Sequence, residues 1–305
     1  MLGGAQRPLL RAAQSGWRRR AAGRDVAHRG LRVRLVVIGS ADAYNAAGRG
    51  HSCYWLETRA GVWMVDFGAT ALQGLRRSAL DPGRLEGVVL THFHGDHIGG
   101  LPYLLIDLAF NHDRRHPLSI AGPAGTRCRV EAVCRAAYGE VIDTRLPFVL
   151  DFIELPPRGR ERLASLNVET WPAEHGSEGH ALLLRVEEPG GVALAFTGDT
   201  AMVEAIFEAA RGAACLVAEC TELRAGTPGH CSWEEWRGSL SRVESASVVF
   251  THLSAEVRAK GPRLLDEALG AAGCPPKAVF ADDGAVFAWD PPADAGRPPA
   301  DQRPK

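Results

Sequence analysis

Three imidazoles and one carboxylate fall within six residues of the stretch Thr91-His92-Phe93-His94-Gly95-Asp96-His97-Ile98-Gly99-Gly100. Neutral imidazole and carboxylate are borderline-hard ligands that suit zinc, with manganese or iron(II) as alternatives, and no Cys-x-x-Cys spacing supplies thiolates. The spacing aims alternate side chains at two nearby points, which implies two metal ions. Gly95 is expected to take a positive φ and let the chain double back there. Without metal the same residues would form a solvated polar loop or a pH-sensing histidine cluster, readings that the density of donors argues against.

The elements around this stretch must bring further donors to it. Residues 88–90 read as a buried strand, which puts the cluster on the loop leaving its C-terminal end, where α/β folds place chemistry. Residues 181–186 and 192–196 read as strands hairpinned around Pro189-Gly190-Gly191. They carry His175 and Asp199 to the same end of a sheet, Asp199 within Thr197-Gly198-Asp199-Thr200. A buried strand at 247–250 ends in Thr251-His252, and another at 215–219 ends in Glu219. Residues 31–38 alternate and then turn apolar, as an edge strand entering a core would. Residues 51–57, 62–66, 118–121, 148–155, 278–280 and 285–289 read as further strands. Helices are expected over 100–110, 125–137, 201–211, 232–243 and 264–271, and Pro156-Pro157-Arg158-Gly159-Arg160 reads as a surface turn. His112 and His116 stand in a charged segment and read as surface residues.

The string His92-Phe93-His94-Gly95-Asp96-His97 resembles the HxHxDH signature of the metallo-β-lactamase superfamily, and the resemblance spans residues 31 to 289. It implies an α/β fold, an αββα sandwich of two mixed sheets flanked by helices, with a two-metal cleft between the halves. Carried over position by position, it implies one metal held by His92, His94 and His175, a second by Asp96, His97 and His252, and Asp199 between them. His180 competes with His175 for its position, and His175 is favoured because it precedes the strand. Asp66, in Asp66-Phe67-Gly68-Ala69-Thr70, would brace a ligating histidine, its alternative role being a cap for the helix starting near Thr70.

Two such ions, zinc by preference, would hold a bridging hydroxide at neutral pH, and hydrolysis follows from that. The flavodiiron oxidoreductases of the superfamily carry Glu at the position of His94, which counts against redox chemistry. Ala218-Glu219-Cys220-Thr221 and Gly229-His230-Cys231-Ser232 are similar to the downstream motifs of ribonuclease Z-type phosphodiesterases. That likeness makes His230 a general acid assisted by Glu219, with Asp96 also in the catalytic set; the alternative for His230 is a loop imidazole capping the following helix. The first motif has Ala218 where the family has His. Only 23 residues separate His175 from Asp199, so the tRNA-clamping arm of the processing enzymes is missing. The expected activity is therefore a phosphodiesterase acting on a small or cyclic phosphodiester. The alternatives are a lactone or thioester hydrolase, a tRNA 3′-processing endonuclease, and a metal-bearing scaffold without catalysis.

Composition sets the frame. The 305 residues are 46% hydrophobic and carry a net charge of -1, read here as one domain over 31–290. Residues 1–30 read as a disordered Arg-rich extension and 291–305 as a disordered tail. Residues 1–34 hold nine Arg against one acid, leaving 26 basic and 35 acidic groups in the rest. An acidic body binds long polyanions poorly, which favours a small substrate over nucleic acid. No run of 18 apolar residues is present, so no membrane partner is expected. Seven cysteines without redox or zinc-ribbon spacing read as reduced thiols in a cytoplasmic protein, and a homodimer is compatible with the sequence.

Overall fold

The computed structural model describes residues 33–59, 61–139, 146–164, 166–176, 180–188, 191–269 and 277–290. The two terminal segments read above as extensions lie outside the described residues. The described strands form two seven-stranded sheets. The first runs, in spatial order, β14 (Val286–Trp289), β1 (Val33–Gly39), β2 (Cys53–Thr58), β3 (Gly61–Val65), β4 (Leu85–Val89), β5 (Leu118–Gly122) and β6 (Leu150–Glu154). The second runs β13 (Lys277–Phe280), β12 (Ser247–Thr251), β11 (Cys215–Glu219), β10 (Ala193–Phe196), β9 (Leu182–Glu187), β8 (Leu166–Pro172) and β7 (Gly159–Leu163). Both are mixed: β3 to β6 pair in parallel, as do β10 to β13, and the remaining pairs are antiparallel.

Strand periodicity builds the layers. Along β1, Val33, Leu35 and Val37 enter the layer between the sheets, while Val36 and Ile38 face the opposite way. The outer face of the first sheet is covered by α1 (Ala71–Arg77), α3 (Leu101–Phe110) and α4 (Thr126–Tyr138), which insert Leu75, Leu104, Leu105 and Val130. The outer face of the second is covered by α5 (Glu204–Ala210), α6 (Trp233–Ser239) and α7 (Ala255–Leu269), through Ile206, Trp236 and Val257. The result is four layers, helix, sheet, sheet, helix. Each fully buried Leu, Val or Phe contributes about 1.5–3 kcal/mol. An exposed pair such as Arg160 and Glu169, at 3.0 Å, is screened by solvent and adds little, so the apolar layers hold the sandwich.

Three local expectations need correction. Strand β1 is not an edge: β14 returns from the far end of the chain and pairs with it from Val33↔Trp289 to Val36↔Val286. The stretch read as a surface turn enters β7, an edge strand whose charges hid it. Arg160 there faces Glu169 on β8, and charged side chains on an edge also discourage further pairing. The last helix begins at Ala255 rather than 264 and runs through Gly261-Pro262. A Cβ on Gly261 would meet the Phe280 ring at 3.0 Å, so a glycine there lets the helix lie close on β13. Among the described residues, no helix is long and apolar enough to cross a membrane.

Candidate metal centre

The C-terminal ends of β4, β10, β11 and β12 converge with the loop after β8, and each carries at least one of the side chains singled out in the sequence. After β4 the chain enters a four-residue helix, α2 (Gly95–Ile98), with His94 in extended conformation at its N-cap. This corrects the expectation for Gly95, which begins the helical turn and has no positive φ. One turn of helix stacks Asp96 and His97 inward, while His94 stays on the open side.

Asp199 lies at the middle. Its Oδ2 is 3.2 Å from His252 Nε2, 3.4 Å from His97 Nε2, and 3.9 Å from both His92 Nε2 and His175 Nε2. Two donor groups meet there, His92 with His94 and His175, and Asp96 with His97, Asp199 and His252. His175 Nε2 and His94 Nδ1 stand 2.9 Å apart, and Asp96 Oδ2 is 3.2 Å from His252 Nε2. Glycine permits the close approach of the two halves: Gly198 has φ 54°, and a Cβ on it would meet Thr91 Cβ at 2.8 Å. Beneath the donors, the Tyr54 hydroxyl on the first sheet meets the Thr251 hydroxyl on the second at 2.8 Å.

Two buried carboxylates orient the imidazoles. Asp66, with φ 55°, accepts from the Thr91 amide and hydroxyl, each at 2.8 Å, and lies 2.8 Å from His97 Nδ1. A carboxylate only accepts, so His97 Nδ1 is the donor and its Nε2 is left with a lone pair facing Asp199. The Thr91 oxygen stands 3.1 Å from His92 Nδ1 and, its proton being given to Asp66, accepts there in the same sense. Asp66 is thus a brace, and α1 has no side-chain cap at Thr70. On the other side, Glu219 Oε2 is 3.1 Å from His230 Nδ1 and accepts from the Thr221 hydroxyl at 2.6 Å, while Glu219 Oε1 accepts from the Thr200 amide at 2.6 Å. The Thr221 oxygen is in turn 2.8 Å from His252 Nδ1. His175 donates through Nδ1 to the Gly229 carbonyl at 2.8 Å.

Electrostatics follow the same division. Burial, aided by the neighbouring imidazoles, pushes His92 well below the usual histidine range and keeps it neutral. Burial is the largest effect on His252 and opposes its charge, but the Asp199, Asp96 and Glu219 carboxylates together outweigh it and the imidazole is pushed up to about 9. Burial raises Glu219, partly offset by its hydrogen bond to His230. Burial works against charge on His230, yet Glu219 lifts it above its ordinary value.

The residues fit metal ions on their own geometry. The Nε2 atoms of His92 and His97 are buried and without a hydrogen-bond partner among the described residues, although both point at the Asp199 carboxylate. Orphaned buried polar atoms of this kind are costly unless something else satisfies them, and imidazole nitrogens held from behind by carboxylates are the usual supports of a metal ligand. His230 stands beside the cluster, its ring 4.8 Å from that of His175. His230 does not cap α6; Ser232 does, in a reciprocal pair with Glu235. His180 lines the opening but joins neither donor group, and His112 is tied to Asp107 at 3.0 Å away from the site. Thr91 and Thr221 carried no sequence signal beyond their adjacency to motif residues. His51 was not singled out either; its ring lies half-buried beside the Ala43 carbonyl, at 3.2 Å. The six described cysteines are all free thiols.

Comparison with known proteins agrees with this architecture. The profile described as the beta-lactamase superfamily domain matches residues 64–253. A ribonuclease BN from Escherichia coli O1:K1 is 27% identical over 280 residues, spanning 76% of this chain and 90% of that protein. Among solved structures, the metallo-beta-lactamase fold protein YhfI from Bacillus subtilis superposes with a TM-score of 0.67 at 18% identity, covering 85% of this chain and all of that one. The short form of human tRNase Z gives 0.65 at 21% identity over 83% and 98% of the two chains. A diphosphatase from the PhnP family gives 0.65 at 17% over 85% and 99%. At such identities these three structures show a shared fold.

Proposed function

The chain belongs to the beta-lactamase superfamily, and we propose that it is a metal-dependent hydrolase, a phosphodiesterase of ribonuclease Z-like type acting on a small or cyclic phosphodiester. The observation that carries this reading is the shared position of Asp199 between two donor groups, with His230 held by Glu219 at their side. His92, His94 and His175 would hold one divalent ion and Asp96, His97 and His252 a second, with Asp199 common to both and zinc preferred by the donor set. Such ions supply an activated water at neutral pH and neutralise charge developing on phosphoryl oxygens.

The chain's own groups do the rest. Asp66 and Glu219 hold His97, His92 and His252 with Nε2 toward the centre, so the ligands are oriented in advance. Because Nδ1 of His230 faces Glu219, its Nε2 is the atom that meets a substrate. A protonated His230 there would hand its proton to a departing alkoxide, a contribution of about 10²- to 10⁴-fold. A lactone or thioester hydrolase on the same centre has less use for that acid.

Relatives named ribonuclease BN, tRNase Z and a diphosphatase support phosphate-bond chemistry. The ribonuclease likeness specifically favours a second reading, cleavage of RNA. Against it stand the acidic body and the short span between His175 and Asp199. One experiment addresses both. The purified chain is analysed for metal and assayed on bis(p-nitrophenyl) phosphate, a cyclic nucleotide, precursor tRNA, a lactone and a thioester, beside an Asp199→Ala variant. Two metals per chain and diester turnover lost in Asp199→Ala are expected. Turnover of the lactone or thioester alone, or full metal content in the variant, would refute the proposal, and position-specific cutting of precursor tRNA would transfer it to RNA.

A further inference from the structure

Under the donor cluster, where the two sheets face each other, lies a cavity of about 10 Å³, close to the least that holds one water molecule. Ser52 and Tyr54 from the first sheet, Thr251 from the second, and the Asp66 and Asp199 carboxylates stand in its wall. Ser52 is 1% exposed, immediately before β2.

The hydroxyls of this wall hold more protons than their mutual contacts use. Burial pushes the Tyr54 phenol up, and the Thr251 and Ser52 hydroxyls beside it work the other way. Thr251 is bonded to Tyr54 at 2.8 Å, whereas Ser52 Oγ stops short of hydrogen-bond geometry with any described residue. Three hydroxyls bring three protons, and the Tyr54–Thr251 bond uses one. Whichever of that pair donates, its partner's proton is left over, and the Ser52 proton makes a second. A buried hydroxyl without a partner is costly, so a group that accepts here is called for.

On the opposite side stands an acceptor. Asp66 and Glu219 each take a backbone amide and a threonine hydroxyl. Asp199 instead meets four imidazole Nε2 atoms, on rings whose Nδ1 is turned outward to Thr91, Asp66, Gly229 and Thr221. Those Nε2 atoms carry lone pairs when they ligate and give Asp199 no proton. Ligating carboxylates ordinarily take a hydrogen bond from behind, and the cavity is where such a donor can stand.

We infer that the cavity is a binding site for one internal water, which accepts from Ser52 and from the Tyr54–Thr251 pair and donates to Asp199, making Ser52 a positioning residue for that carboxylate. Buried waters typically make about three hydrogen bonds to groups left unsatisfied by the protein, as this one does. Asp66 then braces one side of the centre, Glu219 the other, and a solvent molecule held by both sheets braces the middle. The inference takes from the proposed function only that Asp199 binds metal.

The sign of one substitution separates a wet cavity from a dry one. Removing a hydroxyl that has no partner raises the melting temperature, while removing one bonded to water lowers it. Ser52→Ala is expected to lower it in the full chain. Zinc affinity, by chelator competition, should fall about tenfold in Ser52→Ala. In an Asp199→Ala background the same change should leave affinity as it was, because the carboxylate that the water braces is gone. A crystal structure of the zinc-loaded wild type, which needs no variant, is expected to show an ordered oxygen about 2.7–2.8 Å from Ser52 Oγ. A raised melting temperature in Ser52→Ala, or a cavity without density, overturns the water site. Unchanged zinc affinity, or an equal loss in both backgrounds, overturns the positioning role. Failure of the hydrolase reading looks different, since diester turnover would be absent while the density and the melting shift remained.

Discussion

Thr221 gives its hydroxyl proton to Glu219 at 2.6 Å and, with the same oxygen, meets His252 Nδ1 at 2.8 Å. Across the cleft, Thr91 stands in the same relation to Asp66 and His92, at 2.8 and 3.1 Å. Each half of the sandwich therefore uses one buried carboxylate to orient two imidazoles, one directly and one through a threonine hydroxyl. The direct partners are His97 for Asp66 and His230 for Glu219.

This arrangement predicts unequal effects for two substitutions of similar size. Asp66→Asn alters the support of both His97 and His92, and zinc affinity should fall by about 10- to 100-fold, the usual cost of losing a partner behind a metal ligand. Thr221→Val leaves the Glu219–His230 contact and removes the hydroxyl behind His252, so its loss should be smaller. Competition with a chromogenic chelator measures both. Equal affinity in Asp66→Asn and wild type would show that the carboxylate orients nothing.

The assignment of His230 predicts a dependence on the leaving group. With p-nitrophenol departing, little help from an acid is needed, and His230→Ala should cost less than about threefold; with an alkyl alcohol departing, the cost should approach 10²-fold or more. Steady-state rates on a matched aryl and alkyl diester decide it. The same modest loss on both would return His230 to a structural role.

Gly198 is expected to resist substitution. Alanine there must adopt φ 54° and meet Thr91 Cβ at 2.8 Å, on the residue preceding Asp199. Gly198→Ala should lower stability by about 1–3 kcal/mol, the range for overpacked sites. It should also reduce metal retention, because the displaced side chain is the one between the two donor groups. Urea unfolding and metal analysis after dialysis provide the check.

Glu57 gives a pH-dependent prediction away from the centre. Burial opposes its ionisation, but Arg34 at 2.8 Å and Arg84 at 3.1 Å outweigh that and hold its carboxyl below the usual range. A folded-state pKa below the unfolded value stabilises the protein above the unfolded pKa, and this stability is lost as pH falls through the folded pKa. Glu57→Gln should therefore cost about 1–3 kcal/mol at pH 7. The gap should stay constant down to about pH 5 and narrow below the ordinary carboxylate pKa of about 4.3. A gap that widens on acidification would contradict the sign.

The sequence exposed the convergence of donors because each sits where an apolar strand gives way to small or polar residues: Leu90-Thr91-His92, Phe196-Thr197-Gly198-Asp199, Phe250-Thr251-His252. Such junctions can be read locally. The relays through Thr91 and Thr221 were not readable, since a threonine beside a histidine carries no signal until a carboxylate from elsewhere in the chain is placed against it. Strand β7 was hidden by its charges, and the start of α7 by a Gly-Pro pair that ordinarily ends helices.

The return of β14 to pair with β1 bears on how the protein comes into being on the ribosome. Ser40 is held by Asp283 across 243 residues of chain, and Asp96 meets His252 across 156. The HxHxDH loop thus emerges before His175, Asp199 and His252 and waits for those partners. Until then a nascent chain offers three histidines and an aspartate to any passing cation without the second half of the cage. Its first sheet also has an open edge at β1, available to strands of other chains. The final strand closes that edge, and the connection leading into it, at Asp282 and Asp283, ties down the Ser40–Gly50 loop beside the centre through Ser40, Arg49 and Gly50. Synthesis order therefore completes the donor cluster once His252 has emerged and closes the sheet edge only afterwards, when β14 arrives.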